Sequence, residues 1–367
     1  MSLALYRKYR PKKFADLVGQ EDLRTVLQNA ARENRFAHAY LFYGGRGTGK
    51  TTTARIIAKV ANCEKRLQDA AQMQTGEPCN ECRACVEIDV GRALDVIEID
   101  AASNRGVDDV RALKEGIKLS PTMLTRKVFI IDEMHMLTRE AFNALLKTLE
   151  EPPAHAMMIL ATTEYDKVPA TITSRAQRFH FRKLPIADIL TKLKIIVGQE
   201  KLDIKDDALE VIAATAEGSL RDAESLLDQI ASFAEGADAQ SVSRIIGRVG
   251  YKTVADFAEL LLAKNLPGAL SFSAGLYNEG HNIIDLNKEL IIYLRRVLAL
   301  KCGARLEELF AREVTGDELK RIKAASVMAD PKFLTGLMRS LIRAWGEARY
   351  SPLAIAPLEV AIVENLK

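Results

Sequence analysis

The sequence predicts a parallel-sheet α/β nucleotide-binding domain that carries a cysteine insertion and is followed by two helical domains. Three observations carry this. The run Gly44-Gly45-Arg46-Gly47-Thr48-Gly49-Lys50-Thr51 fits G-x-x-x-x-G-K-[ST], a phosphate loop. Strand runs at 39–43, 94–100, 127–133 and 157–163 alternate with helical periodicity, the pattern of a parallel sheet covered on both faces. From Leu184-Pro185 onward strand signals fade and helical spacing takes over.

Composition sets the outer limits. A chain of 367 residues holds two or three domains, and 48% hydrophobic with 28% charged residues is ordinary for a globular protein. The net charge is only +3, so nucleic-acid binding requires a local basic patch rather than bulk attraction. No apolar run approaches the length of a membrane span, and the first residues lack the apolar stretch of a signal peptide. A cytoplasmic location is expected. There thiols stay reduced, so the five cysteines read as ligands or core residues, not disulfides.

The chain opens on a basic arm, Arg7, Lys8, Arg10, Lys12 and Lys13. It is either solvated or folded over the base of a bound nucleotide through Tyr9-Arg10-Pro11 and Val18-Gly19-Gln20. Leu23, Val26, Leu27, Ala30 and Ala31 then recur at helical spacing. Strand 39–43 leads into the phosphate loop. Small residues there let backbone N–H groups turn inward around an anion, and the helix after Thr51 and Thr52 points its N-terminus at it. Lys50 is placed for the β/γ-phosphates and the Thr51 hydroxyl for Mg²⁺.

Residues 63–85 are polar and hold Cys63, Cys79, Cys82 and Cys85. Four thiolates suit tetrahedral Zn²⁺. A ferredoxin-type iron–sulfur run would continue with x₃-C-P, which 86–90 lacks. No open ligand position is evident, so the expected module is structural.

After a polar turn at 101–106, Val107 to Leu113 starts a helix. Lys127-Val128-Phe129-Ile130-Ile131-Asp132-Glu133 is a β-branched, apolar strand ending in two carboxylates. It delivers Asp132 beside the Mg²⁺ of Thr51, with Glu133 one residue on to polarise water. Residues 138–150 form an amphipathic helix stopped by Pro152-Pro153. The next strand ends in Thr162-Thr163, hydroxyls able to sense a γ-phosphate. Helices are expected at 186–200, 206–216 and 220–233, the last opened by Ser219 and Asp222 and carrying Arg221 in its first turn. Residues 247–367 read as all-helical. His38, His135, His155, His180 and His281 show no ligand spacing and receive no chemistry.

Taken together these motifs resemble the AAA+ family and, within it, the clamp-loader ATPases of bacterial DNA polymerase III. The resemblance rests on Tyr9-Arg10-Pro11, residues 14–21, the phosphate loop, the four cysteines, residues 97–103 and 131–137. Phe142-Asn143-Ala144-Leu145-Leu146-Lys147-Thr148-Leu149-Glu150-Glu151-Pro152-Pro153, Thr173-Ser174-Arg175 and Gly218-Ser219-Leu220-Arg221-Asp222 extend it. It implies an AAA+ domain at 1–184 with a Cys₄ zinc module at 63–85, a helical lid at 185–246 and a helical oligomerisation collar at 247–367. It implies ATP, Mg²⁺ and Zn²⁺ as ligands. Tyr9, Arg10, Pro11, Val18, Gly44 to Thr52 and Arg221 hold nucleotide, Thr163 is sensor 1 and Arg221 sensor 2. Arg175 is the arginine that enters a neighbour's site, although Ala176 stands where the family motif has Cys. The gap from Cys63 to Cys79 is also longer than usual.

The same resemblance implies partners: further copies of the chain, delta-like and delta-prime-like clamp-loader subunits, a sliding clamp, and primer–template DNA touched by Arg105 and Arg111. The expected activity is ATP hydrolysis that loads the clamp, with no polymerase chemistry and no membrane. Two other readings compete, another AAA+ DNA-remodelling ATPase and a non-hydrolysing scaffold subunit. Intact Lys50, Asp132, Glu133 and Arg221 weigh against the second. Longer relatives carry C-terminal domains beyond the point where this sequence stops, so a shortened chain is expected.

Overall fold

Alternation in the strands decides the architecture of the first unit. In the computed structural model the described residues are 3–103, 113, 115–233, 236–246, 250–303, 310, 314 and 316–367, without the side chains of 240, 243, 244 and 246. The chain divides into two units, Met1–Leu184 with Ala216–Ser225, and Pro185–Thr215 with Leu226–Lys367.

The first unit begins with α1 (Leu5–Lys8), a 3-10 turn at Phe14–Asp16 and α2 (Glu21–Arg32). Strand β1 (Ala39–Gly44) feeds the phosphate loop and α3 (Lys50–Asn62). The insertion supplies α4 (Glu64–Gln68), α5 (Ala70–Thr75) and the start of α6 (Arg83–Asp89). Strands β2 (Val96–Asp100) and β3 (Lys127–Asp132), helix α7 (Arg139–Glu150), β4 (Ala156–Thr162), α8 (Ala170–Thr173) and β5 (Gln177–Phe181) complete it.

The five strands are parallel in the order β2-β3-β4-β1-β5. Successive residues point to opposite faces, and each face has its own core. Tyr40, Phe42, Val128, Ile130, Met157 and Ile159 pack with α2 and α3. Ala39, Leu41, Phe129, Ile131, Met158 and Leu160 pack with α7. Burial on both sides is why β1, β3 and β4 read as unbroken apolar runs, whereas β2 and β5 at the sheet edges are only partly covered. The carboxyl ends of β1 and β3 open on one edge, where ligands bind in such sheets.

Asp95 sets the entry to β3. Its carboxylate, 1% exposed, accepts the N–H groups of Thr122, Met123 and Leu124 at 2.8, 2.7 and 2.9 Å. Burial alone would raise its pKa. Those three donors and nearby Lys127 bring it below the usual carboxylate value.

The second unit is helical among its described residues, apart from a bridge between Ile204 and Ala237. It contains α9 (Ile186–Glu200), α10 (Asp206–Thr215), the later part of α11 (Leu220–Phe233) and α12 (Ala239–Ile246). Then come α13 (Tyr251–Leu262), α14 (Leu266–Asn278), α15 (Ile283–Cys302), α16 (Gly316–Met328), α17 (Pro331–Ala348) and α18 (Ala356–Leu366). Leu261, Leu286, Leu290, Leu294, Ile322, Leu337 and Leu341 form the core of α13–α18. Asn265, Asn282 and Asp330 cap α14, α15 and α17 with side-chain oxygens.

Candidate active site and cysteine cluster

The phosphate loop sits where β1 ends. Gly47 has φ 69°, and a Cβ there would lie 1.9 Å from Ser219 Oγ, so only glycine lets the loop meet the start of α11. Leu220 N donates to Gly47 O at 3.2 Å, and Ser219 Oγ accepts from Asp222 N at 3.2 Å. Lys50 Nζ donates to the carbonyls of Gly44 and Gly45 at 2.8 and 2.7 Å. Burial lowers the Lys50 pKa, and Glu133 and Asp132 oppose that shift.

Thr51 Oγ1 donates to Asp132 Oδ2 at 2.6 Å, joining residues 81 apart in sequence. This pair of hard oxygen donors in the cleft matches what Mg²⁺ takes. Glu133 follows in the left-handed region, φ 47° and ψ 43°, and its N–H donates to Asp132 Oδ1 at 2.9 Å. The turn swings its carboxylate toward the end of β4. There Thr163 Oγ1 and N donate to Glu133 Oε2 at 2.9 and 3.3 Å.

The cleft is lined by Tyr6, Arg10, Pro11, Leu17, Val18, residues 46–52, Arg55, Glu98, Asp100, Asp132, Glu133, Leu184, Leu220, Arg221 and Glu224, among others. Lys50, Arg10, Arg46, Arg55 and Arg221 give it the cationic wall that suits a polyphosphate. Burial, then Arg55, depresses the Arg10 pKa.

Most residues expected to hold nucleotide therefore meet in one place: Arg10, Pro11, Val18, residues 46–52 and Arg221. Gly44 and Gly45 contribute carbonyls to Lys50 instead of lining the cleft. Thr163 reaches the site through Glu133. Tyr9 is not among the lining residues; Tyr6, three residues earlier, is, with the Arg221 guanidinium 5.1 Å from its ring centre. Gln20 is buried and braces the arm against β5, Nε2 donating to Arg182 O at 2.8 Å. Arg175 stands outside the cleft, its guanidinium donating to Glu150 Oε1 and Thr171 O at 2.7 Å each. Arg105 and Arg111 fall outside the described residues.

His135 received no role from its sequence spacing. Its enclosed ring places Nδ1 3.0 Å from Thr162 Oγ1 and 3.4 Å from Glu133 Oε2, and Nε2 3.2 Å from Glu164 Oε1. The one sequence signal was its position two residues after Glu133.

The four cysteines converge, with all Sγ atoms within 4.8 Å of one another. Tetrahedral Zn²⁺ with bonds of about 2.3 Å sets its sulfurs roughly 3.8 Å apart, and Cys79 and Cys85 Sγ lie 3.9 Å apart. Backbone N–H groups of Cys79 and Cys82 point at Cys63 and Cys79 sulfurs at 3.4 and 3.2 Å. The Cys63 thiol is pushed down to about 4, first by the hydrogen bond from Cys85 and then by the Cys79 N–H. An all-cysteine, partly buried set fits a soft, closed metal site.

Residues 19–185 match the family described as DNA polymerase III, delta subunit, and residues 188–236 match DNA polymerase III clamp loader subunit, ATPase lid domain. The chain is 47% identical to DNA polymerase III subunit tau of Bacillus subtilis over 83% of its own length and 53% of that protein. It is 45% identical to subunit tau of Escherichia coli, over 71% of this chain and 40% of the other. With subunit gamma/tau of Mycobacterium tuberculosis the identity is 36%, over 99% of this chain and 62% of the other. The chain thus spans about half the length of these relatives.

Proposed function

The chain belongs to the clamp-loader ATPase family of bacterial DNA polymerase III, and from that premise we propose that it is a motor subunit. It hydrolyses ATP to open a ring-shaped sliding clamp and load it onto primed DNA in the cytoplasm. The observation that supports this best is the cluster Thr51–Asp132–Glu133–Thr163 at the mouth of a cleft whose wall includes Arg221.

The chain's own residues divide the work. Inward N–H groups of the loop and the N-terminus of α3 hold phosphate. Lys50 exchanges its carbonyl partners for β/γ-phosphate oxygens. Mg²⁺, held by Thr51 and Asp132, would supply charge neutralisation on the phosphates. Glu133, fixed by Thr163, accepts the proton of the attacking water. Arg221 senses the γ-phosphate within the same chain. Arg175, half-buried and bonded to Glu150, Thr171 and Ser174 of its own chain, is available to a neighbouring copy's nucleotide. The cysteine cluster holds Zn²⁺ as a structural ion.

Partners in this reading are delta-like and delta-prime-like subunits, further copies of the chain, the clamp and primer–template DNA. Among the described residues no helix is long and apolar enough to cross a membrane. The test is the steady-state ATPase rate of the chain alone and with partner subunits, clamp and primed DNA. Weak activity alone and strong stimulation in the full mixture are expected. Equal rates in both would sink the motor reading.

A further inference from the structure

No residue of the insertion 63–85 lines the nucleotide cleft, yet the insertion holds the segment that does. Gly76 has φ 69°, and a Cβ there would lie 2.6 Å from the carbonyl oxygen of Gln28, so glycine allows the insertion to seat on α2. Arg32 Nε donates to Gln74 O at 3.0 Å. Glu77, 8% exposed, then turns its carboxylate inward. It accepts from Phe14 N at 2.7 Å, Ala15 N at 2.8 Å and Gln28 Nε2 at 2.7 Å. Two residues on, Cys79 N donates to Cys63 Sγ, and Cys63 directly follows α3, whose other end is the phosphate loop. A second strut runs from Lys12 Nζ through Asp89 to buried Lys59 of α3, at 2.9 Å each, with Asn80 on Lys59 at 2.8 Å.

We propose that the four-cysteine module is a positioning device for the nucleotide cleft: the backbone that closes the cluster holds Glu77, and Glu77 fixes the arm that carries Arg10, Pro11, Leu17 and Val18. The two amides it accepts are the first N–H groups of the 3-10 turn, in the middle of that arm. A carboxylate satisfying buried amides is hard to replace, because its loss leaves those donors unpaired. Metal in the module therefore tunes nucleotide affinity without touching nucleotide. This rests on reading the cleft as a nucleotide site.

The test is fluorescence titration of the whole chain with a fluorescent ATP analogue, beside thermal melting. Glu77→Ala is expected to weaken binding on the order of ten-fold, and Glu77→Gln, which keeps one acceptor oxygen, by less. Chelating the metal from the parent protein produces the same weakening, and added Zn²⁺ restores it. If Glu77→Ala melts normally and binds within about two-fold of the parent, the proposal is wrong.

Amide exchange on the parent covers the case in which the variant does not fold. Metal removal is expected to accelerate exchange at Phe14 and Ala15 while Ile130 in β3 stays protected. Unchanged exchange at Phe14 and Ala15 overturns the proposal. A parent protein that binds no analogue at all refutes the nucleotide reading instead, and the exchange experiment still decides whether the module fixes the arm.

Discussion

Thr163 Oγ1 donates to Glu133 Oε2 at 2.9 Å, so the hydroxyl at the end of β4 holds the carboxylate at the end of β3. The strands are neighbours in the sheet, which makes the contact a consequence of sheet order. Glu133→Gln is expected to lower ATP turnover by about 10²–10⁴ while nucleotide binding persists. Thr163→Val loses one positioning hydrogen bond and falls by roughly ten-fold. Steady-state rates beside analogue binding check both, and wild-type turnover in Glu133→Gln would remove it from the chemistry.

His135 Nδ1 lies 3.4 Å from the same carboxylate oxygen, its ring held by Thr162 and Glu164. His135→Ala is expected to reduce kcat by about ten-fold with little change in KM, because only the orientation of Glu133 is loosened. A change confined to KM would contradict this.

Arg175 makes its contacts on the surface of its own chain. Arg175→Ala should therefore shift the stability of the isolated chain by under about 1 kcal/mol. In the assembled complex with DNA it should reduce stimulated turnover by about 10³–10⁵. Mixing variant and parent chains and measuring the stimulated rate gives the check; full stimulation by the variant would disprove a role in a neighbour's site.

Asp95 links stability to pH. Its pKa is depressed in the folded chain, so its contribution is complete above the unfolded value of about 3.9 and is lost as pH falls through the lower, folded value. Asp95→Asn is expected to cost about 1–3 kcal/mol at neutral pH, and less at pH about 2. Urea unfolding at the two pH values measures the difference; a cost independent of pH would show that the charge is not what matters.

Metal analysis is expected to find one Zn²⁺ per chain, lost in Cys63→Ser or Cys85→Ser. Both variants should melt at lower temperature, since the binding energy of such a site is folding energy. Retention of stoichiometric zinc by both would refute the four-thiolate site.

Sequence alone was enough for the parts whose chemistry is local. A phosphate loop needs its small residues and Lys50 within eight positions, a carboxylate pair must end a buried strand, and three of the four converging cysteines, Cys79, Cys82 and Cys85, come at short spacings. Alternating strands and helices likewise implied the parallel sheet, since both faces must be covered. Tertiary structure decided the rest. Tyr6 rather than Tyr9 lines the cleft because the short helix at 5–8 sets which side of the arm faces Arg221. Thr163 meets Glu133 and Thr162 meets His135 because β3 and β4 are adjacent, and Glu77 caps Phe14 and Ala15 across 63 and 62 residues because the insertion seats on α2. No periodicity marks such residues. A glutamate in a polar insertion looks the same in sequence whether it faces water or carries two backbone amides, and only docking between distant segments distinguishes the two.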